Sequence, residues 1–146
     1  MTNTVTLDLK TYEELLNYKK IISSKLIEDK SRGDLIVMDK LKIPFEIKRI
    51  FVVNNTQIGE IRGNHAHKEC MQVLICTNGK IRLDIHRKNG TSLRILNKSD
   101  IAFIDTMVWS SQEYLEPNSE LMVLCSHEYD KNDYITDFEE FKRLTQ

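Results

Sequence analysis

The chain has 146 residues, a length that suits one domain with a single buried core. Hydrophobic residues make up 40% and charged residues 29%, the balance of an ordinary globular protein rather than a disordered or membrane-embedded one. The net charge is −1 with both signs interspersed, so no global field points to nucleic acid or to an anionic membrane surface.

Residues 1–24 read as an appendage. Met1 to Asp8 lack the basic-then-apolar order of a signal peptide, and no apolar run approaches the ~20 residues that span a bilayer, so the expected compartment is the cytoplasm. Thr11 and Glu14 have the spacing of a capping box. Leu15, Leu16, Ile21 and Ile22 follow at helical intervals, with Lys19, Lys20 and Lys25 where cations suit the helix dipole. The pattern predicts a helix from Tyr12 to Ser24, ahead of a domain covering 25–146.

From Lys25 the signal changes to strands. Ser31 to Asp34 form a turn before the apolar Leu35 to Met38, and Pro44 interrupts the chain before Glu46 to Val53 resume it. Asn54 to Gly59 form a polar loop. Met71 to Cys76 are apolar up to the turn at Thr77-Asn78-Gly79. Lys80 to Arg87 alternate, with Ile81, Leu83 and Ile85 on one face and Arg82, Asp84 and His86 on the other. Asn89-Gly90 supplies the positive-φ positions of a tight hairpin, and Leu93 to Leu96 return. Ile101 to Ile104, Val108 to Ser111 and Leu121 to Ser126 complete the set. Short strands at even spacing with turns between them indicate a sandwich or barrel. Tyr134, Ile135, Phe138, Phe141 and Leu144 recur at helical intervals, which predicts a terminal helix over 133–144.

Cys70, Cys76 and Cys125 are odd in number and lack CxxC spacing, so neither a disulfide framework nor a zinc ribbon is indicated. On one strand Cys70 and Cys76 stand roughly 20 Å apart at ~3.3 Å per residue, beyond disulfide reach. Buried thiols are expected.

Two of the four histidines, His65 and His67, lie one residue apart. Residues two apart on a strand share a face, so their imidazoles sit side by side. They could hold a metal, move protons or fill a wall. The run Gly63-x-His65-x-His67, four residues, Gln72, six residues, Gly79 resembles the first motif of the cupin superfamily, which implies a small jelly-roll barrel with the site inside. The second cupin motif can be laid on Ser99 to Ser110. Asp105 then falls where proline is usual, Met107 where glycine is usual and Ser110 where a last histidine would be. A transition metal on two imidazoles needs a further imidazole or anionic ligand. Gln72 and Ser110 are neutral, so no metal is expected, and free imidazole suits proton transfer near neutral pH.

A closer resemblance rests on four segments: Ile43 to Arg49, Arg62 to Lys68, Gln72 to Gly79, and Tyr129-Asp130-x-x-Asp133-Tyr134-Ile135. These are similar to the sugar nucleotide 3,4-ketoisomerase family, cupin enzymes acting on dTDP-4-keto-6-deoxyglucose, and the similarity runs from about Lys25 to Leu144. It implies a mainly β, cupin-type jelly-roll barrel with an N-terminal helical extension and a C-terminal helix. It also implies metal-independent, cofactor-free isomerisation of a dTDP-linked 4-keto-6-deoxyhexose to the 3-keto isomer. The base takes the C3 proton to form an enediol, and C4 is reprotonated. The product would feed the synthesis of 3-amino sugars for surface polysaccharide. The resemblance assigns His65 and His67 to catalysis without fixing which of them takes the C3 proton; His65 is the first candidate. It assigns Arg49 and Arg62 to the diphosphate, where a planar guanidinium suits phosphate. Gln72, Arg82 and Ser110 are further wall candidates, and a homodimer is implied.

The sequence also departs from that family. Ile50 to Val53 lack two tyrosine hydroxyls, and Val108-Trp109-Ser110 stands where Val-Trp-His is usual. Trp109, beside inward-facing Ser110, is expected to point outward into packing. A non-catalytic sugar-nucleotide-binding cupin is therefore the alternative, with a metal-dependent cupin enzyme behind it.

Overall fold

The structure is a computed structural model that describes residues 23–39 and 43–146. The expected helix at 12–24 lies outside these residues except for Ser23 and Ser24, which open a strand instead. That strand, β1 (Ser23–Ile27), forms an antiparallel hairpin with β2 (Leu35–Asp39).

Two sheets follow. The first is four-stranded and antiparallel, in the order β3 (Arg49–Val53), β10 (Glu120–Cys125), β5 (Gln72–Asn78), β8 (Ile101–Ile104). The second has five strands in the order β11 (Tyr134–Ile135), β4 (Ile61–His67), β9 (Trp109–Tyr114), β6 (Lys80–Arg87), β7 (Gly90–Asn97). This is the jelly-roll expected from the cupin spacing. No helix among the described residues is long and apolar enough to cross a membrane.

The alternation in β6 places Ile81, Leu83 and Ile85 between the sheets, where they meet Leu74 and Cys76 of β5 and Leu121 and Val123 of β10. Each such side chain contributes roughly 1.5–3 kcal/mol by leaving water. β5 has no polar face because both of its faces are covered. Its Val73 and Ile75 point the other way, into a second cluster with Phe103 and Leu124 that Met38, Ile43 and Phe45 close. The outer face of the five-stranded sheet is closed by a third cluster, in which Ala66, Trp109 and Ile135 meet Phe141. Trp109 therefore points outward into packing, its ring 5.1 Å from that of Phe138.

Two local expectations shift. The β6–β7 hairpin is tight, but Arg87 pairs with Gly90, so the loop is Lys88-Asn89; of the expected Asn89-Gly90 pair only Gly90 has positive φ, at 146°. The terminal helix, α1, spans Phe138–Leu144 rather than 133–144. Asp137 caps it, accepting from the backbone N–H groups of Glu139 and Glu140, and the Asp side chain competes with helix continuation on its N-terminal side. Upstream, Lys131–Asp133 form a 3-10 turn, and Tyr134 and Ile135 pair with β4 opposite His67 and Ala66.

Met107, where cupins usually carry glycine, has φ 56°, a left-handed conformation that glycine adopts without a steric penalty. β3 is an edge strand that leaves Ile50 (57%) and Val52 (44%) exposed.

Candidate active site

Strand β4 builds the site, and a bulge decides which side chains enter it. In the pairing of β4 with β9 the register slips between Gly63 and His65. Gly63 and Asn64 both adopt left-handed backbone, at φ 86° and 57°. Period-2 alternation would put Arg62 and His65 on opposite faces. The extra residue of the bulge turns both inward, and Arg62, Gly63 and His65 line one cavity.

Gly63 is also sterically required. A Cβ there would sit 2.8 Å from Gln112 Oε1 and 2.9 Å from the Ser110 carbonyl oxygen. Gly63→Ala is expected to destabilise the protein by about 1–3 kcal/mol, through left-handed strain plus backbone overlap. A denaturant midpoint within error of wild type would show that the bulge relaxes freely.

The cavity holds about 350 Å³, at the small end of ligand-site volumes. Its two walls differ. The four-stranded sheet contributes Phe51, Val53, Leu74, Leu121 and Val123, all apolar, with Arg49 and Gln72 at one end of the strands. The other sheet contributes Arg62, His65, Gln112 and Tyr134.

His65, His67 and Tyr134 form one cluster. Ring centroids lie 4.9 Å apart for the two histidines, 4.8 Å for His65 and Tyr134, and 4.4 Å for His67 and Tyr134. A ring N–H of His65 donates to the Gly63 carbonyl, but burial and neighbouring His67 push the His65 pKa down to about 4. His65 is thus neutral at pH 7.

His67 is buried behind it. Its Nδ1 lies 2.8 Å from Asp133 Oδ2, while Nε2 is closed off from solvent with no hydrogen-bond partner. The carboxylate of Asp133 is itself fixed, accepting from the backbone N–H groups of Glu69 at 2.7 Å and Cys70 at 3.3 Å. Burial opposes its charge, yet the bonds from His67 and these amides win and hold the carboxyl below its usual range. An Asp133 that only accepts makes His67 Nδ1 the donor, so in the neutral ring it is Nε2 that carries the lone pair.

The remaining predicted residues fall in different places. The Arg49 guanidinium lies between the rings of Phe51 and Tyr129, 5.6 and 5.7 Å from their centroids, and its Nε has no partner. Burial works against the Arg49 charge, but a hydrogen bond with Tyr134 helps to raise the pKa overall. Gln72 is buried at the cavity wall with its amide 3.6 Å from Cys125 Sγ. Ser110 is buried opposite His65, where its hydroxyl accepts from Gln112 at 3.1 Å, and Gln112 rather than Ser110 is the lining residue. Arg82 stands apart. It faces away from the interior, bonded to Asp84 at 3.0 Å, because its neighbours Ile81 and Leu83 take the inward positions.

All three cysteines are free and buried. Cys70, His67 and Asp133 bring possible metal-ligand atoms within 4.8 Å of one another, but the Asp133 oxygens are already engaged by His67 and the two amides. At the cupin ligand positions, Gln72 and Ser110 offer only a neutral amide and hydroxyl.

The sequence assigns no site role to Asp133, Tyr134 or Gln112. The first two lie within the Tyr-Asp-x-x-Asp-Tyr segment, where helical periodicity hid the strand that brings them to His67.

Residues 17–146 match the FdtA family, described as WxcM-like, C-terminal. The chain belongs to that family of sugar nucleotide 3,4-ketoisomerases. It is 35% identical over 132 residues to the TDP-4-oxo-6-deoxy-alpha-D-glucose-3,4-oxoisomerase of Aneurinibacillus thermoaerophilus, covering 89% of this chain and 90% of that one. Among solved structures it resembles a 3,4-ketoisomerase from Helicobacter canadensis, with a TM-score of 0.72 and 38% identity over 84% of this chain and 92% of that one. It also resembles a mutant of the Thermoanaerobacterium thermosaccharolyticum 3,4-ketoisomerase in complex with TDP-4-keto-6-deoxyglucose. There the TM-score is 0.74 and the identity 31%, over 85% and 91% of the two chains.

Proposed function

We propose that this protein converts a dTDP-linked 4-keto-6-deoxyhexose into its 3-keto isomer, with His67 as the base that removes the C3 proton. The observation that carries this reading is the Asp133–His67 pair, whose unpartnered Nε2 sits within a cluster at the cavity wall. Asp133 fixes the imidazole tautomer and stabilises the imidazolium formed when a proton arrives. The sequence leaves the choice of base between the two histidines open, with His65 as the first candidate. His65 lines the cavity, but a group held near pKa 4 is a weak acceptor for a carbon-bound proton. Its neutral ring suits hydrogen bonding to the sugar oxygens instead. Access to His67 requires the ring of Tyr134 or His65 to turn as the sugar enters.

Arg49 and Arg62, on opposite walls, are the cations for the diphosphate, Arg49 with Nε unpartnered and Arg62 exposed at the cavity. The chemistry balances without a redox cofactor. The C3–H electron pair becomes the C3=C4 bond while O4 gains a proton. O3 then loses its proton, its carbonyl forms, and the C3=C4 pair captures a proton at C4. The product would be a substrate for an aminotransferase that makes a 3-amino sugar.

A second reading, a sugar-nucleotide-binding protein without turnover, draws on the stretch Ile50 to Val53, which lacks the two tyrosine hydroxyls and gives the cavity the apolar Phe51 and Val53. Incubation with dTDP-4-keto-6-deoxyglucose in heavy water, followed by NMR, separates the two. The C3 proton should exchange and a 3-keto product accumulate at a rate unchanged by chelator. Binding without exchange would leave the second reading, and activity abolished by chelator and restored by metal would replace the metal-independent mechanism.

A further inference from the structure

The two cavity walls also bear on a property of the product. Of the groups lining the cavity, Arg49, Arg62, His65 and Tyr134 are titratable. A guanidinium stays protonated in proteins and does not deliver a proton to carbon. The remaining proton-transfer groups, with His67 behind them, sit together on β4 and β11, with ring centroids 4.4–4.9 Å apart. Facing them are Phe51, Val53, Leu74, Leu121 and Val123, which carry no exchangeable side-chain proton. The apolar stretch of that wall is also unsuited to an ordered water acting as an acid, since such a water needs two to four polar partners and these five side chains offer none. Gln72 and Arg49 at its end hold only an amide and a guanidinium.

A sugar ring lying between these walls meets proton chemistry on one face and hydrocarbon on the other. We propose, resting on the isomerase reading above, that the proton leaves C3 and a proton returns to C4 from the same face of the ring. The configuration of the product follows from the substrate. In a 4-keto-6-deoxy-D-glucose ring the C3 hydrogen points to the lower face, the face opposite C6. Protonation of C4 from that face sets the new hydrogen downward and the new hydroxyl upward. The product is the galacto-configured 3-keto sugar with an axial O4. Delivery from the opposite face would give the gluco isomer, and among the described residues that line the cavity none on that side carries a proton to deliver. The cluster on β4 and β11 is thus the specificity-determining element of the site, because the placement of the described proton carriers on one wall sets the C4 configuration.

The test runs the reaction in ordinary water and traps it with borodeuteride. Reduction places deuterium at C3 of the product and at C4 of unreacted substrate, so the two are told apart by position. C3-labelled sugars of galacto and gulo configuration are the expected result. C3-labelled gluco and allo sugars would overturn same-face transfer while leaving the isomerase reading intact. An absence of C3 label, with C4-labelled sugar recovered, would remove the isomerase reading and this inference with it.

Discussion

His67→Asn is expected to lower kcat by ~100-fold or more, the span that a positioned general base supplies, while leaving the affinity for dTDP within about twofold of wild type. The separation follows from placement. His67 is 3% exposed and bonded to Asp133, whereas the two arginines proposed for the diphosphate lie at the cavity surface. Asp133→Asn should lower kcat on the same path, because an amide can present its N–H to His67 Nδ1 and so favour the wrong tautomer. The two residues act as a unit, so the double variant should lose little more than the worse of the singles, whereas independent sites would multiply their losses. Steady-state kinetics on the three variants, with calorimetric titration of dTDP, provides the check. Near-normal turnover in His67→Asn would remove it as the base and return the role to His65. Multiplicative losses would sink the dyad. Loss of dTDP affinity in parallel with kcat would mean that His67 supports the whole pocket rather than the proton step.

Strand β6 was legible because its burial is one-sided, and β5, covered on both faces, because it is a short apolar run ending at a turn. β6 alternates and its odd-numbered residues are the ones inside. The cupin frame was legible too, since Gly63, His65, His67, Gln72 and Gly79 are tied by short-range geometry that a linear spacing preserves. Two features were hidden for different reasons. The bulge at Gly63 and Asn64 reverses the parity of the strand, so alternation assigns Arg62 and His65 to opposite faces when both point inward. The pairing of Tyr134 with His67 joins residues 67 apart in the chain, and such a contact has no local signature. Worse, Tyr134 and Ile135 fall in phase with the helix that follows, so periodicity absorbed them into it. The cap at Asp137, accepting from two N–H groups, was the one local sign that the helix begins later.

Acid should destabilise this protein partly through His65. Its pKa is pushed down to about 4 in the fold, from 6.5, by burial and by His67. The unfolded chain therefore binds a proton at this site before the folded chain does. That linkage makes the contribution of neutral His65 complete above the unfolded pKa and lost as pH falls from about 6.5 to about 4. Its size is at most about 3 kcal/mol at 1.36 kcal/mol per pH unit, reduced by the partial exposure of the ring. Asp133, held low by His67 and two backbone amides, loses its own contribution in the same direction at lower pH. Comparing wild type with His65→Asn isolates the imidazole, because the variant retains Asp133 and the exposed carboxylates. The difference in unfolding free energy between the two proteins should shrink between pH 7 and pH 4.5, by urea denaturation at each pH. A constant difference would mean that His65 titrates normally in the fold, and that a ring able to carry a proton at pH 6 lines the cavity. The argument that gives the C3 proton to His67 rather than His65 would then lose its footing.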